Sequence, residues 1–228
     1  SRITVNARSD DSFIFVGANS TTINYQIFSS TNVSTVNSSF TTSASNNSDV
    51  LDACVLSTNA VVISYTDTAG GIYYPYIRII SAANALGSAI QLSVGTINNI
   101  PIVSTYNSAG PASRITALSA GGFALSIPTY TISPYSQFGG ATFVNSYDAS
   151  GTRTNTNSAY ILSTNYRALY NTVNLVESST YINIVGISPL NYTNPNTSCN
   201  IAVSRVTKSP WATVYNYSQS QLTGTTSI

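Results

Sequence analysis

Leu118-Ser119-Ala120-Gly121-Gly122-Phe123-Ala124-Leu125-Ser126 sets an aliphatic residue and a serine before a tight turn, then an apolar run that ends on serine. The same order stands 62 residues earlier, in Leu56-Ser57-Thr58-Asn59-Ala60-Val61-Val62-Ile63-Ser64. A third copy runs from Leu175 through Glu177-Ser178-Ser179 into Tyr181-Ile182-Asn183-Ile184. The most divergent copy is Ala7-Arg8-Ser9-Asp10-Asp11-Ser12-Phe13-Ile14. Self-similarity at a spacing of roughly 50 to 60 residues is the signature of a repeat architecture. The residues between turns are β-branched and aromatic, alternating with Ser, Thr and Asn, which suits half-buried strands.

A second strand follows each copy: Tyr25-Gln26-Ile27-Phe28-Ser29, Tyr76-Ile77-Arg78-Ile79-Ile80-Ser81, Thr142-Phe143-Val144-Asn145-Ser146-Tyr147 and Ile201-Ala202-Val203-Ser204-Arg205-Val206. Asp148-Ala149-Ser150-Gly151-Thr152 and Ser81-Ala82-Ala83-Asn84-Ala85-Leu86-Gly87 occupy equivalent turns after them. The expected fold is all-β, made of tandem antiparallel β-meander repeats and propeller-like. An N-terminal strand at 1–10 precedes a repeat domain at 11–228, with units near 11–47, 48–100, 101–160 and 161–228. One or two immunoglobulin-like β-sandwiches are the alternative, since similar hairpins arise from shared patterning. Helix formers are scarce, and only 81–92 could supply a helical turn.

The stretch Ile115–Gly151 resembles the repeats of bacterial surface and secreted β-propeller proteins. In those repeats a Leu-Ser-x-Gly-Gly-Phe turn leads one strand and an Asp-x-x-Gly turn closes the next. The second unit shares the likeness in part, and the first and fourth share little of it. The resemblance implies the propeller-like fold and carries no function with it.

Composition narrows the function classes. Charged residues make up 7% of the 228, against about 25% in an average soluble domain. Ser, Thr and Asn number 37, 29 and 24; there is no His or Met, and Lys208 and Glu177 are alone of their kinds. At a net charge of +1 there is no basic footprint for nucleic acid. Apolar runs such as Val61-Val62-Ile63 fall far short of the roughly 20 residues that span a bilayer. Nucleophilic catalysis lacks its usual histidine base. Asp10, Asp11, Asp67 and Asp148 fit turn chemistry, and Lys208 fits a solvated turn after a strand. Asp49 and Asp52 flank a strand, but neither calcium-loop spacing nor zinc ligands are present. The expectation from these residues is no enzyme activity, no metal and no cofactor.

Ser1, with no Met in the chain, fits a mature product that has lost a leader. Cys54 and Cys199 are an even pair suited to a disulfide in an oxidising compartment. Asn19, Asn32, Asn37, Asn46, Asn191, Asn196 and Asn216 head N-glycosylation sequons, as many as chance gives in so Ser/Thr-rich a chain. Ile3, Val5 and Ala7 alternate with polar residues, a pattern suited either to a strand donated between subunits or to closure within the chain. The leading functional expectation is therefore an extracellular structural protein. It would be a self-assembling subunit of a surface filament or pilus-like fibre, similar in strategy to donor-strand fibres, with itself as partner. The alternative is a glycan-binding lectin or adhesin domain. Tyr73, Tyr74, Tyr76, Tyr130, Tyr135 and Trp211 would stack on sugar rings there.

Overall fold

A computed structural model describes residues 3–44, 51–69, 72–94, 96–97, 100–101, 113–129, 141–155, 159–162, 171–189, 199–209 and 211–221. Four four-stranded antiparallel sheets follow one another along the chain, each pairing its strands in sequence order. The first holds β1 (Ile3–Ala7), β2 (Phe13–Asn19), β3 (Thr22–Phe28) and β4 (Ser34–Thr41). The second holds β5 (Asp52–Val55), β6 (Val61–Ala69), β7 (Ile72–Ile80) and β8 (Ile90–Gln91). A two-stranded ribbon of β9 (Thr96–Ile97) and β10 (Ile100–Pro101) comes next. The third sheet holds β11 (Arg114–Ala117), β12 (Phe123–Thr129), β13 (Ala141–Tyr147) and β14 (Ala159–Leu162). The fourth holds β15 (Asn171–Glu177), β16 (Tyr181–Pro189), β17 (Cys199–Lys208) and β18 (Trp211–Gln221).

Three of the four copies of the turn motif share one geometry, while in the Leu175 copy Ser178 donates its amide to the Tyr181 carbonyl. Leu118, Leu56 and Arg8 each accept the amide of the residue three positions on, and each donates its own amide to the carbonyl four positions on. The fourth residue of the motif then has positive φ: Gly121 (93°), Asn59 (63°) and Asp11 (62°). Glycine, Asn and Asp tolerate that region best, which is why those types recur there. Gly122 is constrained further, because a Cβ on it would lie 2.1 Å from the Tyr147 carbonyl oxygen.

Alternation along each strand gives every sheet two faces, and the sheets stack through them. Ile14, Val16, Ile23 and Ile27 of the first sheet pack on Val61, Ile63 and Tyr65 of the second. Val62, Ile77 and Cys54, on the second sheet's other face, pack on Phe123, Leu125, Phe143 and Tyr147 of the third. Ala124 and Val144 then pack on Ile182, Ile184 and Val206 of the fourth. The opening strands β1, β5, β11 and β15 lie next to one another in turn. The fold is thus all-β and propeller-like: meander sheets stacked face to face, with their first strands side by side.

Three expectations are corrected. Residues 81–92 form a turn, an isolated Ile80–Leu86 bridge and β8, with no helix among the described residues. Asn84, with positive φ, and Gly87 break up the alanines and leucines there before a helical turn can nucleate. Cys54 is a free, buried thiol in the core between the second and third sheets. Cys199 opens β17 in the fourth sheet, with the third sheet between, so the expected staple is not formed. The N-terminal strand is not held out for donation: β1 pairs with β2 from Ile3↔Gly17 to Ala7↔Phe13.

Candidate functional site

The third and fourth sheets meet at one end in a cleft of about 520 Å³. The Leu118–Gly122 and Tyr147–Thr154 turns form one wall. Glu177 at the end of β15, Lys208 at the end of β17 and Trp211 at the start of β18 form the other. Hairpin geometry brings these three together, since the ends of β15 and β17 and the start of β18 lie at one end of the fourth sheet.

Lys208 Nζ lies 2.8 Å from Glu177 Oε1. Across the cleft, the Ser119 amide donates to Glu177 Oε2 at 2.7 Å and its hydroxyl to Oε1 at 3.0 Å. Partial burial pushes the Glu177 carboxyl up, but Lys208 and the two Ser119 donors outweigh it and hold it below the ordinary range. Asp148 Oδ1 accepts from the Ser150 hydroxyl (2.6 Å), the Ser150 amide (2.8 Å) and the Thr152 amide (2.9 Å). The Ser150 hydroxyl contributes most to holding that carboxyl below its usual value too. Trp211 Nε1 donates to the Val144 carbonyl at 2.9 Å, so the half-buried indole is fixed against the third sheet. At neutral pH the cleft therefore presents two ionised carboxylates, one ammonium already paired, and a held aromatic ring.

The sequence-predicted residues scatter over the fold. Lys208 is not a solvated turn residue; it is the last residue of β17 and is ion-paired. Asp67 is not in a turn either. It lies in β6 and accepts the Ser43 amide at 2.7 Å and its neighbour Thr68's at 2.8 Å. Asp10 does close a turn, accepting the Ser12 amide and hydroxyl. Asp52 Oδ2 accepts the Ile115 amide at 3.1 Å and so links the second and third sheets. Tyr73, Tyr74 and Tyr76 lie in β7, away from the cleft, and the Tyr76 ring stacks 6.0 Å from Tyr65 while its hydroxyl donates to Gln91. Of the expected stacking residues, Trp211 lines the cleft. Asn19, Asn32 and Asn37 are exposed on the first sheet and its turns, and Asn216 lies in β18. Asp49, Tyr130, Tyr135, Asn46, Asn191 and Asn196 fall outside the described residues.

No protein-family profile matches this sequence, and no curated protein does. Among solved structures the chain is similar to an exo-1,5-α-L-arabinanase from a bovine ruminal metagenomic library. The identity is 10% and the TM-score 0.49, over 95% of this chain and 78% of that one. It is also similar to a member of the GH130 family of mannoside phosphorylases, described as containing glycoside hydrolases that target β-1,2 mannosidic linkages in Candida mannan. Here the identity is 7% and the TM-score 0.43, over 94% and 68% of the two chains. The expectations of a filament subunit and of a chain without enzyme activity are corrected at this point. The structures it is similar to are carbohydrate-acting enzymes rather than fibre subunits, and β1, on which strand donation depended, is bonded within its own sheet.

Proposed function

We propose that this protein acts on carbohydrate and that the cleft between its third and fourth sheets receives a sugar unit. One observation carries the reading: the Trp211 indole, pinned by its bond to Val144, stands in the same cleft as the ionised Glu177 and Asp148. Sugar rings offer an apolar C–H face to an aromatic ring and hydroxyl donors to carboxylates, so this pairing of groups suits them. Holding the ring in advance also lowers the entropy lost on binding.

Trp211 is the single tryptophan of the chain, so intrinsic indole fluorescence reports on this cleft alone. Titration with a panel of neutral oligosaccharides should give a saturable change in that emission. Calorimetry should show the same binding lost in Trp211→Ala and weakened about tenfold or more in Asp148→Asn, which removes a charged acceptor. Sugar released in the same mixtures, and abolished by Glu177→Gln or Asp148→Asn, would extend recognition to bond cleavage. Binding that survives Trp211→Ala unchanged would sink the proposal.

A further inference from the structure

The turn after the third strand is built alike in the first three large sheets. Ser29 after β3, Ser81 after β7 and Asp148 after β13 each accept, through the backbone carbonyl, the amide three residues on. Each also donates its own amide to the carbonyl four residues on. The third residue on has positive φ in every case: Asn32 (62°), Asn84 (66°) and Gly151 (87°). The opening side chain then takes the amide four residues on. Ser29 Oγ accepts it from Val33 at 3.2 Å, Ser81 Oγ from Ala85 at 3.1 Å and Asp148 Oδ1 from Thr152 at 2.9 Å. The turn therefore asks for one side-chain oxygen and no charge. Serine meets that need twice.

Asp148 carries more than the turn uses. Its Oδ1 takes all three bonds from Ser150 and Thr152. Among the described residues Oδ2 accepts no hydrogen bond, and no lysine or arginine pairs with the carboxylate. A carboxylate has room for about four donors over its two oxygens, so Oδ2 is open. Of the three turns, this is the one that lines the cleft with Trp211. Glu177 and Lys208 neutralise each other there across 2.8 Å, which leaves Asp148 as the cleft's uncompensated charge.

A ligand that fills this cleft displaces water from Asp148. A neutral sugar hydroxyl can donate to Oδ2 but leaves the charge without a counterion as solvent is lost. An ammonium group donates and compensates at once, in the shorter and stronger kind of hydrogen bond. The indole face beside it attracts a cation as well as a sugar ring's C–H face. Resting on the carbohydrate reading above, we propose that the cleft selects an amino sugar, whose protonated amine pairs with Asp148 Oδ2 while its ring lies on Trp211. Lys208 does not compete for Asp148, because Glu177 holds its ammonium. An N-acetylated sugar offers only a neutral amide at the same position and is discriminated against.

Trp211 fluorescence titrations of the whole chain test this with tetramers of glucosamine, N-acetylglucosamine and glucose in one linkage. They are run at about pH 6, where the sugar amine and the Asp148 carboxylate are both charged. The glucosamine tetramer should bind about tenfold more tightly than the other two, and added salt should shrink the margin. The chain's own net charge is +1, so general attraction for a cation does not produce that preference. Asp148→Ser should weaken every ligand and bring the preference below about twofold, with the thermal unfolding midpoint kept, since serine already serves this turn in two sheets. Asp148→Asn, which keeps a carbonyl oxygen for the turn, repeats the comparison without the charge. Equal affinity for the three tetramers overturns the amino-sugar assignment and leaves the carbohydrate reading standing. A preference that survives both Asp148 variants overturns the assignment as well. Binding of none of the three, alongside no response to any neutral oligosaccharide, overturns the carbohydrate reading itself and the assignment with it.

Discussion

Ser119 grips Glu177 twice, through its amide and its hydroxyl, although 58 residues separate them. Ser9 holds Asn59 in the same manner at the junction of the first and second sheets, with its amide at 3.0 Å and its hydroxyl at 2.9 Å. At these two junctions the serine after the first turn residue thus reaches from one sheet to the next. It fixes the stacking of the sheets at that end, and at the Ser119 junction it also shapes the cleft.

Breaking that grip should loosen the last sheet first. Ser119→Ala removes one hydrogen bond to a charged acceptor, and Glu177→Gln leaves Lys208 without its partner; losses of about 1 and 2 kcal/mol are expected in urea unfolding. Glu177's carboxyl is depressed in the folded chain, so its contribution is complete above the unfolded value near 4.5 and disappears as pH falls through the folded one. Stability measured from pH 7 down to pH 3 should therefore fall less steeply in Glu177→Gln than in the wild type.

Charge in the cleft should sort its ligands. With Glu177 and Asp148 ionised and Lys208 already paired, oligosaccharides of uronic acids should bind more weakly than neutral ones of equal length. Raising the salt concentration should narrow the difference. Fluorescence titrations at two ionic strengths read both effects, and equal affinity for the two ligand classes would contradict this charge assignment.

The adjacent glycines of the Leu118–Gly122 turn should respond unequally. Gly121 has open space where a side chain would go, and Asn59 occupies its counterpart, so Gly121→Asn should cost under about 1 kcal/mol. Gly122→Ala combines positive φ with a clash against the Tyr147 backbone, and roughly 3 kcal/mol or more is expected. Thermal unfolding of the two variants makes the comparison.

Burial pushes the Cys54 thiol well above its ordinary range, so it should resist alkylation in the native chain. In guanidinium without reductant it should be labelled quickly, as a free thiol is. A Cys54 that stays unlabelled until reductant is added would restore the disulfide expected from the even cysteine count.

The turn motif was readable because positive φ demands particular residues, and Asn59, Asp11 and Gly121 announce it without any knowledge of neighbouring sheets. Strand alternation likewise displayed the two faces of each sheet. The cleft was not readable: Glu177 and Lys208 lie 31 residues apart, and only the pairing of β15, β16 and β17 brings their ends together. A lone lysine after a strand looks the same in sequence whether it is solvated or paired. Tyrosine abundance points to β7, where the Tyr76 ring stacks on Tyr65 instead of facing the cleft. Trp211 was already a stacking candidate in the sequence, but the acceptor that fixes its ring, the Val144 carbonyl 67 positions away, is one no local pattern reveals.

Each of the four large sheets pairs strands only with their neighbours in sequence. A stretch of 40 to 50 residues can therefore satisfy its own ladder as it leaves the ribosome, before the next sheet exists. What it cannot do alone is cover its apolar faces, which wait for the following sheet to emerge. Synthesis then proceeds as a series of short-lived sticky intermediates, each quenched by the arrival of its successor. A pause placed between two sheets would prolong one such state, whereas a pause within a sheet would expose unpaired strand edges as well.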